Sequence, residues 1–263
     1  MHDRTVHASS FGAAAAAYER GRPDYPGAAL DWLLQAGAGA GAGAGSGAAA
    51  APREVVDLGA GTGKLTRSLC ARGLAVTAVE PSEGMREQLT SAVPEATVLA
   101  GSGESMPLPR GAADVVLAAQ SWHWVDTAVA VPEVARVLRP GGTLGLVWNI
   151  RDEREDWVAA LGRLLHPEGT PVTGGVGVEG LADHPELFEP VERFDVPWTH
   201  TLTAVQLVDM VASRSYVITL PEAEREALLA EVRDLTERHP ALAGRTQLQL
   251  PYVTECYRAR ART

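Results

Sequence analysis

Cysteine is nearly missing from this chain: among 263 residues only Cys70 and Cys256 are cysteines. Two cysteines supply neither a disulfide framework nor a zinc site, and free thiols in a reducing compartment are the expectation. Positive charge is scarce as well. Lys and Arg number 23 against 33 Asp and Glu, a formal net charge of −10, which argues against a nucleic-acid backbone as a partner. Arg258, Arg260 and Arg262 form a small basic group near the end of the chain, which reads as a frayed, solvated tail. No stretch approaches the ~20 apolar, uncharged residues that span a bilayer. Met1 to Phe11 lacks the apolar core of a signal peptide, so a cytoplasmic location without a membrane partner is expected. His166, His184, His200 and His239 are scattered without metal-ligand spacing; they read as surface or loop residues, with no metal.

What the chain does have is bulk and pattern. Its hydrophobic fraction of 46% is that of an ordinary globular protein, and its length allows one large α/β domain or a domain with a lid. Residues 36–51 alternate Ala and Gly around a single Ser46 and read as a flexible linker. As a phosphate-cradling loop this segment lacks a preceding strand and a Lys-Ser/Thr ending. Beyond it, strands are predicted at 55–58, 75–79, 96–100, 113–118 and 143–148. Helices are predicted between them at 64–72, 82–93 and 128–138, the last stopped by Pro140-Gly141-Gly142. Near-continuous apolar strands separated by helices predict a parallel sheet covered on both faces. Further on, 153–165, 204–213 and 221–238 read as helices, 166–190 as a loop or lid, 191–202 as extended, and 247–258 as a final strand.

The richest stretch is Val55-Val56-Asp57-Leu58-Gly59-Ala60-Gly61-Thr62-Gly63-Lys64. A strand, a glycine-rich turn and a helix in succession make a nucleotide-type site, because glycine lets the main chain turn tightly and approach a ligand closely. The spacing is Gly-x-Gly-x-Gly rather than the Gly-x-Gly-x-x-Gly of dinucleotide folds, which points away from pyrophosphate. Glu80 stands 23 residues after Asp57, at the end of the second predicted strand. That is the position of the acid that bonds ribose hydroxyls in dinucleotide folds, and the geometry carries over here.

The pattern resembles the class I S-adenosylmethionine-dependent methyltransferases. Four pieces carry the resemblance in order: Val55 to Gly63, Ala-Val-Glu-Pro-Ser-Glu-Gly-Met at 78–85, Gly-Ser-Gly-Glu-Ser-Met-Pro-Leu-Pro at 101–109, and Val-Leu-Arg-Pro-Gly-Gly at 137–142. The likeness is strong over about Phe11 to Leu146 and weaker beyond. It implies a Rossmann-like α/β fold: a seven-stranded, mostly parallel sheet with the last strand antiparallel, helices on both faces and a small lid. The organisation expected is an N-terminal helical lid segment over 1–35, the linker at 36–51, a cofactor-binding core at 52–150, a lid and substrate-binding region at 151–220, and a C-terminal helix and strand at 221–263.

The implied cofactor is S-adenosyl-L-methionine. By the resemblance, Asp57 organises its methionine end, while Gly59, Ala60, Gly61, Thr62 and Gly63 pass beneath the adenosine. Glu80 takes the ribose, and Pro81 is a further cofactor-binding candidate. Ser102, Gly103 and Glu104 lie where the family holds the adenine; many relatives carry an acid where Ser102 stands, and this chain departs from them there. Met85 packs on the adenine or belongs to the helix core. Tyr18, Arg22 and Tyr25, together with the Gln120-Ser121-Trp122-His123-Trp124 segment, resemble a small-molecule branch that includes trans-aconitate-type enzymes. That resemblance implies Tyr18, Arg22 and Gln120 on the cofactor and Tyr25 on the substrate; the alternative is that the Arg-Pro and Tyr-Pro pairs simply anchor the first helix.

Trp122 and Trp124 read as walls of the acceptor site. His123 is the candidate general base, with a wall or orienting residue as the alternative; an imidazole titrating near pH ~6.5 suits proton transfer. Trp148, Asn149, Arg151, Arg214 and Tyr216 are substrate-side candidates, Arg214 as a fork for a carboxylate or as a helix-end cation. The reaction implied is methyl transfer to a small-molecule oxygen, carboxylate or hydroxyl, with carbon as the next choice, by a monomer or homodimer. The rival readings are a protein that binds S-adenosylmethionine without catalysis and a nicotinamide-dependent oxidoreductase.

Overall fold

The structure is a computed structural model that describes residues 23–35, 54–166, 175 and 177–262. Within them the elements run α1 (Gly27–Gln35), β1 (Glu54–Leu58), α2 (Lys64–Cys70), β2 (Ala75–Val79), α3 (Glu83–Ala92), β3 (Thr97–Leu99), β4 (Ala113–Ala119), α4 (Thr127–Val137) and β5 (Leu138–Arg151). There follow α5 (Asp156–Leu165), β6 (Glu192–Leu202), α6 (Ala204–Ala212), α7 (Ser215–Ile218), α8 (Glu222–Arg238) and β7 (Leu248–Arg260), with short 3₁₀ turns at Trp122–Trp124 and Val178–Leu181. The strands form one seven-stranded sheet in the order β3-β2-β1-β4-β5-β7-β6. The pairs β1–β2, β1–β4, β2–β3 and β4–β5 are parallel, and one strand of the sheet is antiparallel.

The described residues group into two compact units. The larger takes 24–35, 54–148, 175, 177–196 and 254–262; the smaller takes Pro23, 149–166 and 197–253.

In the larger unit, Val55, Val76, Val115, Leu117 and Val147 meet Ala29, Leu30, Leu33 and Leu34 of α1 and Leu65 and Leu69 of α2. The apolar residues of α1 recur on one face of the helix, and that stripe is what a helix packed on a sheet must present. β5 admits α1 closely because residue 145 is glycine. A β-carbon there would lie 2.5 Å from Leu117 Cδ2 and 3.0 Å from Leu33 Cδ2. In the smaller unit, Trp157, Leu161 and Leu165 of α5 pack with Leu207, Met210 and Val211 of α6, Val232 of α8 and Leu250 of β7.

Several predicted boundaries shift. The fifth strand begins at Leu138 rather than 143, directly after α4. Pro140, Gly141 and Gly142 therefore sit inside a strand instead of separating helix from strand. The pairing with β4 absorbs them as an irregularity, Ala113 facing Leu138 and Val115 facing Thr143. α5 starts three residues later than predicted, at Asp156, and α7 was not foreseen.

The C-terminal arginines are not a frayed tail. β7 runs to Arg260. The Arg258 guanidinium lies 3.9 Å from the centroid of the Trp32 ring, donates to Trp32 O at 2.8 Å and pairs with Glu192 at 2.6 Å. Arg262 donates to Pro185 O and Phe188 O. Arg260 and Arg262 stay exposed, but strand pairing orders the backbone here and the Trp32 ring holds the Arg258 side chain.

Cys256 is buried and Cys70 half-buried, both as free thiols, and burial pushes the Cys256 thiol up to about 12. Among the described residues no helix is long and apolar enough to cross a membrane, and no group of His, Cys, Asp and Glu is arranged to hold a metal ion.

Candidate active site

The turn between β1 and α2 holds the centre of the site. Gly59 and Gly61 have φ of +69° and +57°, a region costly for any residue with a β-carbon. Gly59 is also confined sterically: a β-carbon there would lie 2.6 Å from Ser121 Cβ. Ser121 itself is pinned, its hydroxyl donating to Leu58 O at 2.7 Å, so the segment after β4 is drawn onto the turn after β1. Gly61 faces a different neighbourhood, where only Met85 Sδ, at 3.9 Å, would meet a β-carbon.

Two buried carboxylates organise this turn. Glu80, 5% exposed, follows β2 and accepts from the N–H of Gly61 at 2.9 Å and of Ser82 at 2.8 Å, one on each oxygen. Burial pushes its carboxyl above the usual range; the two N–H donors and nearby Arg86 pull the other way. A carboxylate has about four lone-pair sites, so two remain for further donors. Asp57 is 1% exposed and accepts from the Thr66 hydroxyl at 2.6 Å through Oδ2. Its Oδ1 is buried with no hydrogen-bond partner among the described residues. Burial chiefly, together with the Glu80 charge, raises the Asp57 carboxyl to about 7 against the Thr66 hydrogen bonds. A buried acceptor left unsatisfied is costly and marks a place where a donor belongs.

The turns after β3 and β4 complete the surroundings. Ser102 and Ser105 exchange backbone hydrogen bonds. A β-carbon on Gly103 would lie 2.7 Å from Val125 Cγ1. The Glu104 carboxylate accepts from Asp126 N at 2.8 Å, so it is engaged at the start of α4. Gln120 takes φ of +57°, the one positive value outside glycine among the described residues, and its N–H donates to Val147 O at 2.9 Å. A non-glycine residue held in that region is a strained position of the kind that gathers at functional sites.

The sequence-predicted residues thus separate into groups. Gly59, Ala60 and Gly61 meet Val79 and Glu80 by hydrogen bonds, with Met85 beside Gly61, and Thr62 is buried in the same turn. Pro81 leads from Glu80 into α3 and its carbonyl accepts from Arg86. Gly63 supplies the N-cap position of α2. His123 is exposed in the 3₁₀ turn, its ring 4.9 Å from that of Trp124.

Other residues fall elsewhere. Trp122 is corrected from wall to core: it is 0% exposed, with its indole N–H on Gly177 O at 3.2 Å, and no face of it is left for a ligand. Trp124 is 45% exposed and faces solvent rather than an enclosed wall. Trp148 is buried edge-on against Tyr257. Tyr25 packs on the α1 core cluster. Tyr18 and Arg22, like the Ala/Gly linker, lie outside the described residues.

Asn149, Arg214 and Tyr216 belong to the smaller unit, Asn149 buried there. His166 is not a surface residue. It is half-buried with Nε2 enclosed, its ring 5.5 Å from that of Tyr216. No local signal marks it, because its neighbours in space lie far away in sequence.

A mostly parallel sheet ordered 3-2-1-4-5-7-6, with a Gly-x-Gly-x-Gly turn after β1 and an acid after β2, defines a Rossmann-like methyltransferase of class I. Comparison with known proteins agrees. Residues 56–146 match the family model described as a methyltransferase domain. The chain is 52% identical over 250 residues to methyltransferases of uncharacterized activity from Mycobacterium tuberculosis and Mycobacterium bovis, the match covering 95% of each chain. It is 26% identical to a candidate type II methyltransferase of solved structure from Anaeromyxobacter dehalogenans, with a TM-score of 0.62 over 92% of this chain and 97% of that one. The chain belongs to the methyltransferase family.

Proposed function

We propose that the protein transfers a methyl group from S-adenosylmethionine to a small-molecule acceptor, at an oxygen of a carboxylate or hydroxyl. The observation that carries the cofactor is the Glu80 carboxylate, buried at the glycine turn with one N–H on each oxygen and acceptor capacity to spare. Two adjacent ribose hydroxyls are the donors that suit it. The unpartnered Asp57 Oδ1 and the uncrowded approach over Gly61 also fit an adenosyl group carrying an amine. Asp57, Gly59, Ala60, Gly61, Thr62, Gly63, Glu80, Pro81, Met85, Ser102, Gly103 and Gln120 would hold it. Glu104 supports the adenine side through its bond to the start of α4.

When bound, S-adenosylmethionine supplies a methyl group on a cationic sulfur that is already a good leaving group. The protein's share is then to align the acceptor and exclude water, and proximity provides much of the rate. For a hydroxyl acceptor, a ring nitrogen of His123 takes the hydroxyl proton; for a carboxylate no base is required and His123 orients the acceptor. We infer a cytoplasmic enzyme, monomeric or homodimeric, without a nucleic-acid or membrane partner.

Calorimetric titration of the full chain with S-adenosylhomocysteine and with NAD tests the assignment. Saturable binding of the nucleoside thioether and none of NAD is expected. The reverse pattern would make the protein an oxidoreductase. Binding of S-adenosylmethionine with no demethylated product across a broad acceptor panel would make it a non-catalytic binder.

A further inference from the structure

The smaller unit holds a charge that no described residue satisfies. Arg151 ends β5 and is 4% exposed, yet its Nε, Nη1 and Nη2 all lack a hydrogen-bond partner among the described residues. The acids nearest in sequence are engaged elsewhere. Asp152 accepts from Arg154, and the Glu153 carboxylate lies over Gly162. A second guanidinium, Arg214, and the half-buried His166 belong to the same neighbourhood: the cations of Arg214 and Arg151 both act on the imidazole, which burial already holds below its usual range. Tyr216 closes it, its ring 5.5 Å from His166, and packs in turn on the apolar cluster of α5, α6 and α8.

Burying a guanidinium with none of its five N–H donors paired is among the costliest arrangements a protein interior holds. An isolated cation of this kind is retained where an anion completes it, and the planar guanidinium fork matches the two oxygens of a carboxylate or phosphate. Arg151 also stands at the carboxyl end of its strand, the end at which open α/β sheets receive ligands.

We propose that Arg151, buried within the smaller unit, binds a small oxyanion, a carboxylate or a phosphate. The anion site stands independently of the methyl-transfer reading above.

The test is the thermal midpoint of the full chain with citrate, with inorganic phosphate, and with sodium chloride at matched ionic strength. A rise with citrate alone assigns a carboxylate, and a rise with phosphate alone a phosphate. A rise with both supports the shared oxyanion chemistry. In Arg151→Gln the apparent dissociation constant of the effective anion should increase by about tenfold or more, as expected for a charged hydrogen-bonded pair. No rise beyond chloride in the wild type, or an equal rise in Arg151→Gln, overturns the proposal.

Arg151→Met guards against misfolding. Removing an unsatisfied buried charge should leave the anion-free midpoint equal or higher, whereas a marked fall would mean that the guanidinium is already paired within the protein, and overturns the site. S-adenosylhomocysteine titration of the same samples separates the two readings. Failure of the wild type to bind it removes methyl transfer while the anion result stands independently.

Discussion

The carboxylate of Glu80 accepts from Gly61 N at 2.9 Å and so ties the end of β2 to the turn after β1. Its second oxygen holds Ser82 N at 2.8 Å, so a single buried acid shapes two turns. In Glu80→Ala both N–H groups lose their acceptor, and the proposed ribose contact goes with them. S-adenosylhomocysteine affinity should fall by about 1.5–3 kcal/mol, the scale of charged hydrogen bonds. Isothermal calorimetry measures it; an Ala variant with wild-type affinity would remove Glu80 from the ribose.

Ser121 occupies the space that a β-carbon on Gly59 would need, at 2.6 Å. Gly59→Ala combines that overlap with a backbone at φ of +69° and should cost about 1–3 kcal/mol of stability. Adding Ser121→Gly relieves the overlap but not the backbone strain. Urea unfolding of the single and double variants should therefore show partial rescue; strict additivity would mean that Ser121 is not the obstacle.

Asp57 carries a pH signature. Its carboxyl is raised from 3.8 to about 7 by burial, so between those values the folded state keeps a proton that the unfolded state has lost. Stability from this group therefore declines as pH rises from about 4 to about 7 and is level above, a span on the order of 4 kcal/mol. Asp57→Asn keeps an acceptor for Thr66 and has no proton to lose. Denaturant unfolding of both proteins across that window should show the wild type losing ground to the variant; parallel profiles would place the Asp57 titration near its ordinary value.

His123→Ala should slow turnover of a hydroxyl acceptor by about 10²–10⁴-fold, the usual contribution of a general base, with S-adenosylhomocysteine affinity preserved. Initial rates under saturating cofactor measure this. A loss below about threefold falls short of general-base catalysis and makes His123 a wall.

The residues differ in how visible they were. The glycine turn and Glu80 were legible because a tight turn and a strand-end acid are local features at fixed spacing, and the sheet brings them together in one way only. The alternation of strands and helices was legible for the same reason. Trp122 was misread because nothing nearby in sequence announces Gly177 as its hydrogen-bond partner, 55 residues on. Arg258 was misread because position near a terminus was weighed, while the Trp32 ring that receives its guanidinium is 226 residues away. The boundary of β5 moved because local breakers such as Pro140 and Gly141 yield to strand pairing with β4.

By itself the sequence determined the class of fold and the kind of cofactor turn, since both depend on periodicity and on glycine and acid spacing over tens of residues. Tertiary structure alone decided which aromatic is core and which faces solvent. It also showed which acid oxygens remain to accept and that Arg151 is buried without a hydrogen-bond partner among the described residues. Those properties depend on desolvation and on contacts between distant segments, which only the assembled chain brings into being.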